Sequence, residues 1–222
     1  MMTEDTGTQG TNNLELELGF DWSRRAGDRN FLFQPQLSWG AAETLDLIVQ
    51  PSWIIDHSGA GTERGFGDTN LDVKWRFYER APWSFAIRAG VSAPTAGNGL
   101  GLRNDTFVPH AILVASRDFA RFRLDLNVGY GRAADDPSQR GDLYHFSAAV
   151  TVETAQYLFL VLDTSVDSNP DRAGKSFAAV MLFGIIYTVY PGLDVDAGFR
   201  GRLNGTGPTQ QWLAGITFRW AS

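Results

Sequence analysis

The chain of 222 residues contains no cysteine, which excludes a disulfide framework, a thiol nucleophile and a thiolate metal site. Lysine is nearly missing too: Lys74 and Lys175 are the whole complement, against a formal net charge of −6. So acidic and lysine-poor a chain lacks the electrostatic footprint of a nucleic-acid binder. Long apolar runs are also absent. The longest uncharged stretch, 176–193, is broken by Gly184 and Pro191 and is rich in β-branched and aromatic residues, so it does not read as a spanning helix. No stretch carries an apolar stripe every 3.6 residues, which removes helix from the reading. The opening MMTEDTGTQGTNN is polar and lacks the hydrophobic segment of a signal peptide.

Alternation takes the place of helical periodicity. Leu14, Leu16, Leu18, Phe20 and Trp22 alternate with Glu15, Glu17, Gly19 and Asp21, which sends the two sets to opposite faces of a strand. The same period of two runs through 71–77, 85–91, 122–130, 193–199 and 212–220. With the less regular runs included, the pattern predicts twelve strands near 13–24, 30–39, 45–56, 68–79, 83–94, 106–117, 121–131, 143–153, 156–167, 176–190, 193–203 and 209–220. The sixth leaves its facing ambiguous, and the tenth is apolar on both faces.

Short connections (GAAET, RAP, DFA, TA, PG) alternate with longer ones (HSGAGTERGFG, TAGNGLGLRND, RAADDPSQRGD, SNPDRAGK). An even number of strands with that alternation predicts an all-β, twelve-stranded antiparallel up-and-down transmembrane β-barrel, with tight periplasmic turns and longer external loops. Aromatics on the apolar faces then gather at two levels. Trp22, Trp53 and Trp212 fall toward the long loops, and Trp39, Trp83 and Trp220 toward the short turns, as two interfacial girdles would. The polar faces are small and glycine-rich (Gly19, Gly90, Gly129, Gly198, Gly215), which suits a curved, crowded interior. The alternative is a soluble β-barrel that holds a hydrophobic ligand in an apolar core. The domain plan is a flexible tail over 1–12 and one transmembrane barrel over 13–220, with no separate plug. A gate would then come from lumen side chains or external loops. A bacterial outer-membrane location requires that an export signal has been removed.

The run Gly65-Phe66-Gly67-Asp68-Thr69-Asn70-Leu71-Asp72-Val73-Lys74-Trp75-Arg76-Phe77 resembles the Gly-x-Gly-Asp…Lys-aromatic-Arg segment of the MetA-pathway of phenol degradation family of outer-membrane β-barrel proteins. Ala93-Pro94-Thr95, Asp125-Leu126-Asn127-Val128-Gly129-Tyr130-Gly131 and a closing hairpin rich in Gly and Asp follow in a similar order. The chain departs from the pattern at Ala96-Gly97 and in ending two residues beyond Trp220. The resemblance implies a barrel linked to passage of aromatic or other small hydrophobic compounds, and it brings no catalytic residues.

Several motifs invite chemistry. His145-Phe146-Ser147 spaces an imidazole and a hydroxyl as a nucleophile and its base would be, but both share the polar face, and Ala148 follows where an asparagine is expected. His57 and His110 are too dispersed for a metal site. Asp167-x-Asn169-x-Asp171 offers alternating oxygens, but Pro170 interrupts a calcium loop and Ala178 stands where its bidentate Glu belongs. Gly97-Asn98-Gly99-Leu100-Gly101 does not complete a phosphate cradle. We expect no enzyme and no cofactor.

The charged lumen positions are more informative. Lys74, Arg76, Arg88 and Arg123 fall on predicted strands four, five and seven. Glu15, Glu17, Asp194 and Asp196 fall on strands one and eleven, with Asp163 on strand nine. In a closed ring this sets a basic wall opposite an acidic one, a transverse field across a narrow passage. The competing expectation is that these charges pair, as Arg219 with Asp194 or Asp196 and Arg76 with Asp46, and plug the lumen in a barrel with a structural role. The expected function is a monomeric outer-membrane channel or transporter for small molecules, with aromatic or hydrophobic compounds as candidates. Its surroundings are lipid and lipopolysaccharide, not nucleic acid.

Overall fold

Each alternating run becomes a strand because a membrane barrel gives both faces a fitting solvent, lipid for Leu, Phe and Trp and a polar lumen for the rest. The computed structural model describes residues 3–25, 27–59, 61–96, 106–133, 139–205 and 208–221. The strands are β1 (Leu14–Arg25), β2 (Asp28–Ala42), β3 (Leu45–Gln50), β4 (Trp53–Ser58), β5 (Gly61–Phe66), β6 (Thr69–Arg80), β7 (Trp83–Ala93), β8 (Val108–Asp118), β9 (Phe122–Arg132), β10 (Asp142–Ala155), β11 (Leu158–Ser168), β12 (Phe177–Tyr190), β13 (Leu193–Arg202) and β14 (Gln210–Trp220). Every neighbouring pair is antiparallel. β1 pairs with β14 from Leu14↔Trp220 to Arg24↔Gln210, and with β2 from Leu14↔Trp39 to Arg25↔Asp28. The sheet therefore closes on itself. β3 with β4, and β5 with β6, are two strands each broken once, so the ring has twelve.

The breaks mark a departure from the expected loops. Pro51 has no amide to give the ladder, and at the break Ser52 O instead accepts the Gly67 amide at 3.0 Å. Beyond it, residues 61–66, expected inside a long loop, form β5, in register with β4 from Trp53↔Phe66 to Ser58↔Gly61. Their sequence, GTERGF, has no apolar alternation because this hairpin carries the ladder past the lipid, where no face needs to be greasy. The family-like segment fastens it. Asp68 accepts the Ala96 amide at 3.0 Å, and Thr69 Oγ1 meets Thr95 Oγ1 at 2.8 Å. At the opposite rim, bulges at Gly40/Ala42, Arg76/Tyr78, Glu153/Ala155 and Thr188/Tyr190 precede the short turns. Each adds local twist where the chain must reverse tightly.

The interior is inverted relative to a soluble protein. Among the described residues, eighteen polar or charged ones are buried against nine hydrophobic ones, while Leu71, Trp75, Leu126, Phe183 and Trp212 are exposed. That distribution overturns the soluble-barrel alternative. It also resolves the two ambiguous strands. On β8, Val114 and Ser116 turn inward and Leu113 outward; on β12, Val180 and Leu182 turn inward and Phe183 outward. The girdle positions meet across strands: Trp22 pairs with Trp212 at one rim, and Leu14 between Trp39 and Trp220 at the other. Trp53 stacks edge-on with Phe66 at 4.8 Å, and Trp83 carries the Arg117 guanidinium at 4.9 Å.

A cation on the lipid face at mid-height is the most costly surface change such a fold can receive. Leu126→Arg is expected to destabilise the barrel by about 2–4 kcal/mol, read by urea unfolding in lipid vesicles. An unchanged midpoint would contradict the lipid-facing placement of β9.

Candidate functional site

β1 starts at the short-turn rim, and the described residues before it turn back into the lumen. Gly10 (φ 79°) and Asn12 (φ 63°) make the reversal. Asn12 donates its amide to Gly40 O at 2.7 Å, and Gly40 donates to Asn13 O at 3.0 Å. A Cβ at residue 40 would lie 1.7 Å from Gly10 O, so the close approach requires glycine there. From this turn the segment climbs across the lumen. The Gln9 amide donates to Asp46 Oδ1 at 3.0 Å, the Thr6 amide to Ser116 Oγ at 3.2 Å and the Glu4 amide to Asn127 Oδ1 at 2.7 Å. Thr3 donates its amide and its hydroxyl to the Asp163 carboxylate at 3.1 and 2.7 Å. Thr3 and Thr6 are 3% and 1% exposed. The tail expected to be flexible over 1–12 is, from residue 3 onward, an insert bound to the barrel wall. Polarity marks a free tail in water, but a polar lumen welcomes the same residues.

The insert answers the basic wall. Lys74 and Arg88 are cross-strand partners on β6 and β7, each 7% exposed. The Glu4 carboxylate bridges them, 3.2 Å from Lys74 Nζ and also bonded to Arg88, and Asp5 adds a second contact to Lys74 at 3.4 Å. Asp72 takes Arg88 and His110 Nε2, each at 2.7 Å. Arg123 reaches Asp125 at 3.0 Å, Asp118 at 3.6 Å and Thr6 Oγ1 at 3.1 Å. Arg76 turns to the rim and pairs with Glu79 at 3.2 Å, not with Asp46, which the Gln9 amide occupies. The expected basic wall is therefore covered, and it contains its own carboxylates.

The acidic positions divide. Arg219 joins Glu15 at 2.6 Å and Asp194 at 2.5 Å, one of the pairs expected from parity. Asp163 lies apart, holding Thr3. Glu17 accepts from Gln36 Nε2 at 2.8 Å. Asp196 sits over Gly215, where a Cβ would come within 2.2 Å of its Oδ2, and has no cation in ion-pair reach among the described residues.

A cavity of about 840 Å³ remains between the insert and this side of the wall. Along β14 it runs from Gln211 near the long-loop rim to Arg219 near the short-turn rim. Its wall is low at mid-height because Gly19 pairs with Gly215 and Gly184 with Gly198. Leu182, Ile186 and Leu213 face the same space as Glu17 and Asp196.

The remaining candidates are engaged elsewhere. His57 Nδ1 meets Thr62 Oγ1 at 2.6 Å in the outer hairpin. His145 Nε2 lies 2.9 Å from Ser147 Oγ and its Nδ1 2.5 Å from Asp167 Oδ1, while Ser165 Oγ holds Asp167 Oδ2 at 2.6 Å. This is the connectivity of a nucleophile, base and orienting acid. Ser147, however, is buried beside Asn127 and does not line the cavity, so the chain of bonds ties β9, β10 and β11 together. Asn169 and Asp171 turn their side chains to their own loop backbone. Gly97-Asn98-Gly99-Leu100-Gly101 lies outside the described residues.

Sequence reasoning misses Glu4, Asp5, Thr3, Thr6 and Gln9, because nothing in a polar tail announces that it is docked. Asp46, Asp72 and Asp125 carry a usable signal, since each shares the parity of the cations beside it. Burial pushes the Glu4 carboxyl up, but Lys74 and Arg88 outweigh it and hold the group below the ordinary carboxylate range. Burial acts on Asp5 in the same sense, and there Lys74 and Arg123 prevail and hold it low.

The family described as "Putative MetA-pathway of phenol degradation" matches residues 3–220. A search of the curated proteins returns no match. Among solved structures, an outer membrane channel from Pseudomonas putida F1 aligns with a TM-score of 0.81 at 10% identity, over 97% of this chain and 98% of that one. The NanC porin aligns with a TM-score of 0.67 at 12% identity, over 92% and 98%. The KdgM porin aligns at 0.68 and 7% identity, over 93% and 99%. At these identities the likeness is one of fold, that of outer-membrane β-barrels.

Removing the insert's charge strands two buried cations. The double variant Glu4→Gln, Asp5→Asn is expected to lose about 3–5 kcal/mol of docking energy, seen as fast amide exchange at residues 3–9 while the strands stay protected. Continued protection would show that the ion pairs do not hold the segment. A carboxylate held low stabilises above its free value and loses that contribution as pH falls through the lowered one. Residues 3–9 should therefore stay protected at about pH 5 and become exchangeable only below the ordinary carboxylate range; loss of protection already near neutrality would contradict this.

Proposed function

The chain belongs to the MetA-pathway of phenol degradation family, and on that premise we propose that it is a monomeric channel of the bacterial outer membrane for small molecules. Its conducting path is the space beside its own N-terminal segment. The observation that supports this is the 840 Å³ cavity, which follows β14 from Gln211 to Arg219, most of the strand's length. Barrels of this size lie between those filled by side chains and those that leave a wide water channel. Here an insert closes one half, and glycines keep the other open.

The lining suits small solutes with an apolar part. Leu182, Ile186 and Leu213 form an aliphatic strip opposite the insert's polar backbone, so an aromatic or short hydrophobic compound can slide along one side while its polar group meets the other. The family's link to phenol degradation agrees with that chemistry. No catalytic step is assigned, since the His145–Ser147–Asp167 chain lies away from the path.

Planar-bilayer recording tests the channel. The intact protein should conduct, and deletion of residues 3–9 should raise single-channel conductance by roughly twofold or more, since conductance follows the narrowest bore. No conductance in either form would overturn the reading. Equal conductance would mean that the path does not pass beside the segment.

A further inference from the structure

We propose that the passage is selective for cations and that Glu17 and Asp196 set this selectivity; the inference rests on the channel reading above. Among the described residues eight carboxylates line the cavity, against three cationic side chains, Lys74, Arg200 and Arg219. Most of the eight are answered locally. Glu4 and Asp5 belong to Lys74, Glu15 and Asp194 to Arg219, and Asp46 takes the Gln9 amide. Asp21 takes Gln211 Nε2 and lies with Arg200 at the outer end of the cavity.

Glu17 and Asp196 are different. Among the described residues neither has a cation within ion-pair distance; Glu17 takes the neutral amide of Gln36 at 2.8 Å and hydrogen-bonds the Glu15 carboxyl. They flank β14 from opposite sides: Glu17 pairs with Thr217 and Asp196 with Gly215, one step apart along the strand. Between them the wall offers a hydrogen atom and a small hydroxyl, so nothing bulky separates the two charges from the space. Across it stands the backbone of the insert, while the apolar Ile186 lies beside Asp196 on the neighbouring strand. Two carboxylates with no ion-pair partner among the described residues, beside a narrow, low-dielectric wall, concentrate cations and repel anions. The insert sharpens the effect by covering Arg88 and Arg123 and neutralising Lys74. Neutral solutes pass, positively charged ones are favoured, and anions of equal size are held back.

Reversal potentials under a potassium chloride gradient test this in the intact chain. The wild type should favour potassium over chloride by roughly tenfold. Glu17→Gln with Asp196→Asn should bring that ratio several-fold closer to one, with conductance retained. Heat-modifiable migration of the folded barrel on gels controls for misfolding. A second variant, Thr217→Lys, sets a cation between Glu17 and Asp194 and should move the ratio the same way or invert it. A wild-type ratio near one, or a preference for chloride, overturns the selectivity while leaving the channel standing. An unchanged ratio in both variants overturns the assignment to these residues. Absence of any conductance removes the channel reading, and the selectivity with it.

Discussion

Lys74 and Arg88 sit side by side in the middle of a barrel whose outside faces lipid, and the lumen is organised around meeting their charge. Two adjacent cations taken out of water are costly unless their partners are close and well placed. The wall supplies one such partner, Asp72, which Gly90 leaves room for: a Cβ at residue 90 would lie 2.0 Å from Asp72 Oδ1. The other comes from outside the sheet. Glu4 reaches both cations from a segment that the reversal at Gly10 and Asn12 folds inward. Its backbone then finds acceptors on β3, β8, β9 and β11 (Asp46, Ser116, Asn127, Asp163). A short stretch with no secondary structure of its own is ordered because each polar group meets a wall residue facing inward.

That arrangement divides the barrel into two halves with different tasks. From β6 to β11 the lumen is filled, by the insert, by Ala86, Val114 and Ala149 at near-zero exposure, and by the paired charges. From β12 through β14 to β1 it is kept clear by glycines paired across strands. A twelve-strand ring lies between the small barrels that side chains fill and the larger ones that leave a water channel. This chain packs one half and hollows the other.

The strand plan is largely legible in the sequence, because lipid and lumen impose opposite solvents on successive residues and so write a period of two into it. The legibility ends where that pressure ends. β5, GTERGF, lies past the lipid and has no alternation, so it reads as loop. The rim bulges change register by single residues that leave no compositional trace. Within the lumen, parity places Lys74, Arg88, Glu17 and Asp196 on the inner face, and the Arg219–Asp194 pair follows from it. Glu4 and Asp5 are invisible for a physical reason: a docked polar segment and a free one have the same composition, and what distinguishes them is the shape and charge of a cavity formed by residues far along the chain.

One consequence joins the two charged walls. Lys74, Arg88 and Arg123 lie on β6, β7 and β9, and Glu15, Glu17, Asp194 and Asp196 on β1 and β13; the insert covers the first set and carries the sign of the second. It fills part of the lumen and covers the cations of β6, β7 and β9 in a single step, so one segment changes both the free space and the exposed charge. Were the segment to leave, Lys74, Arg88 and Arg123 would line the enlarged space with Asp72, Asp118 and Asp125 as their remaining partners, and the field would change from one-sided to transverse. On the channel reading proposed above, a narrower lumen and a wider one are two arrangements of one short segment. The first is held by the contacts of Glu4 and Asp5 with Lys74 and Arg88 together with the bonds of the segment to Asp46, Ser116, Asn127 and Asp163.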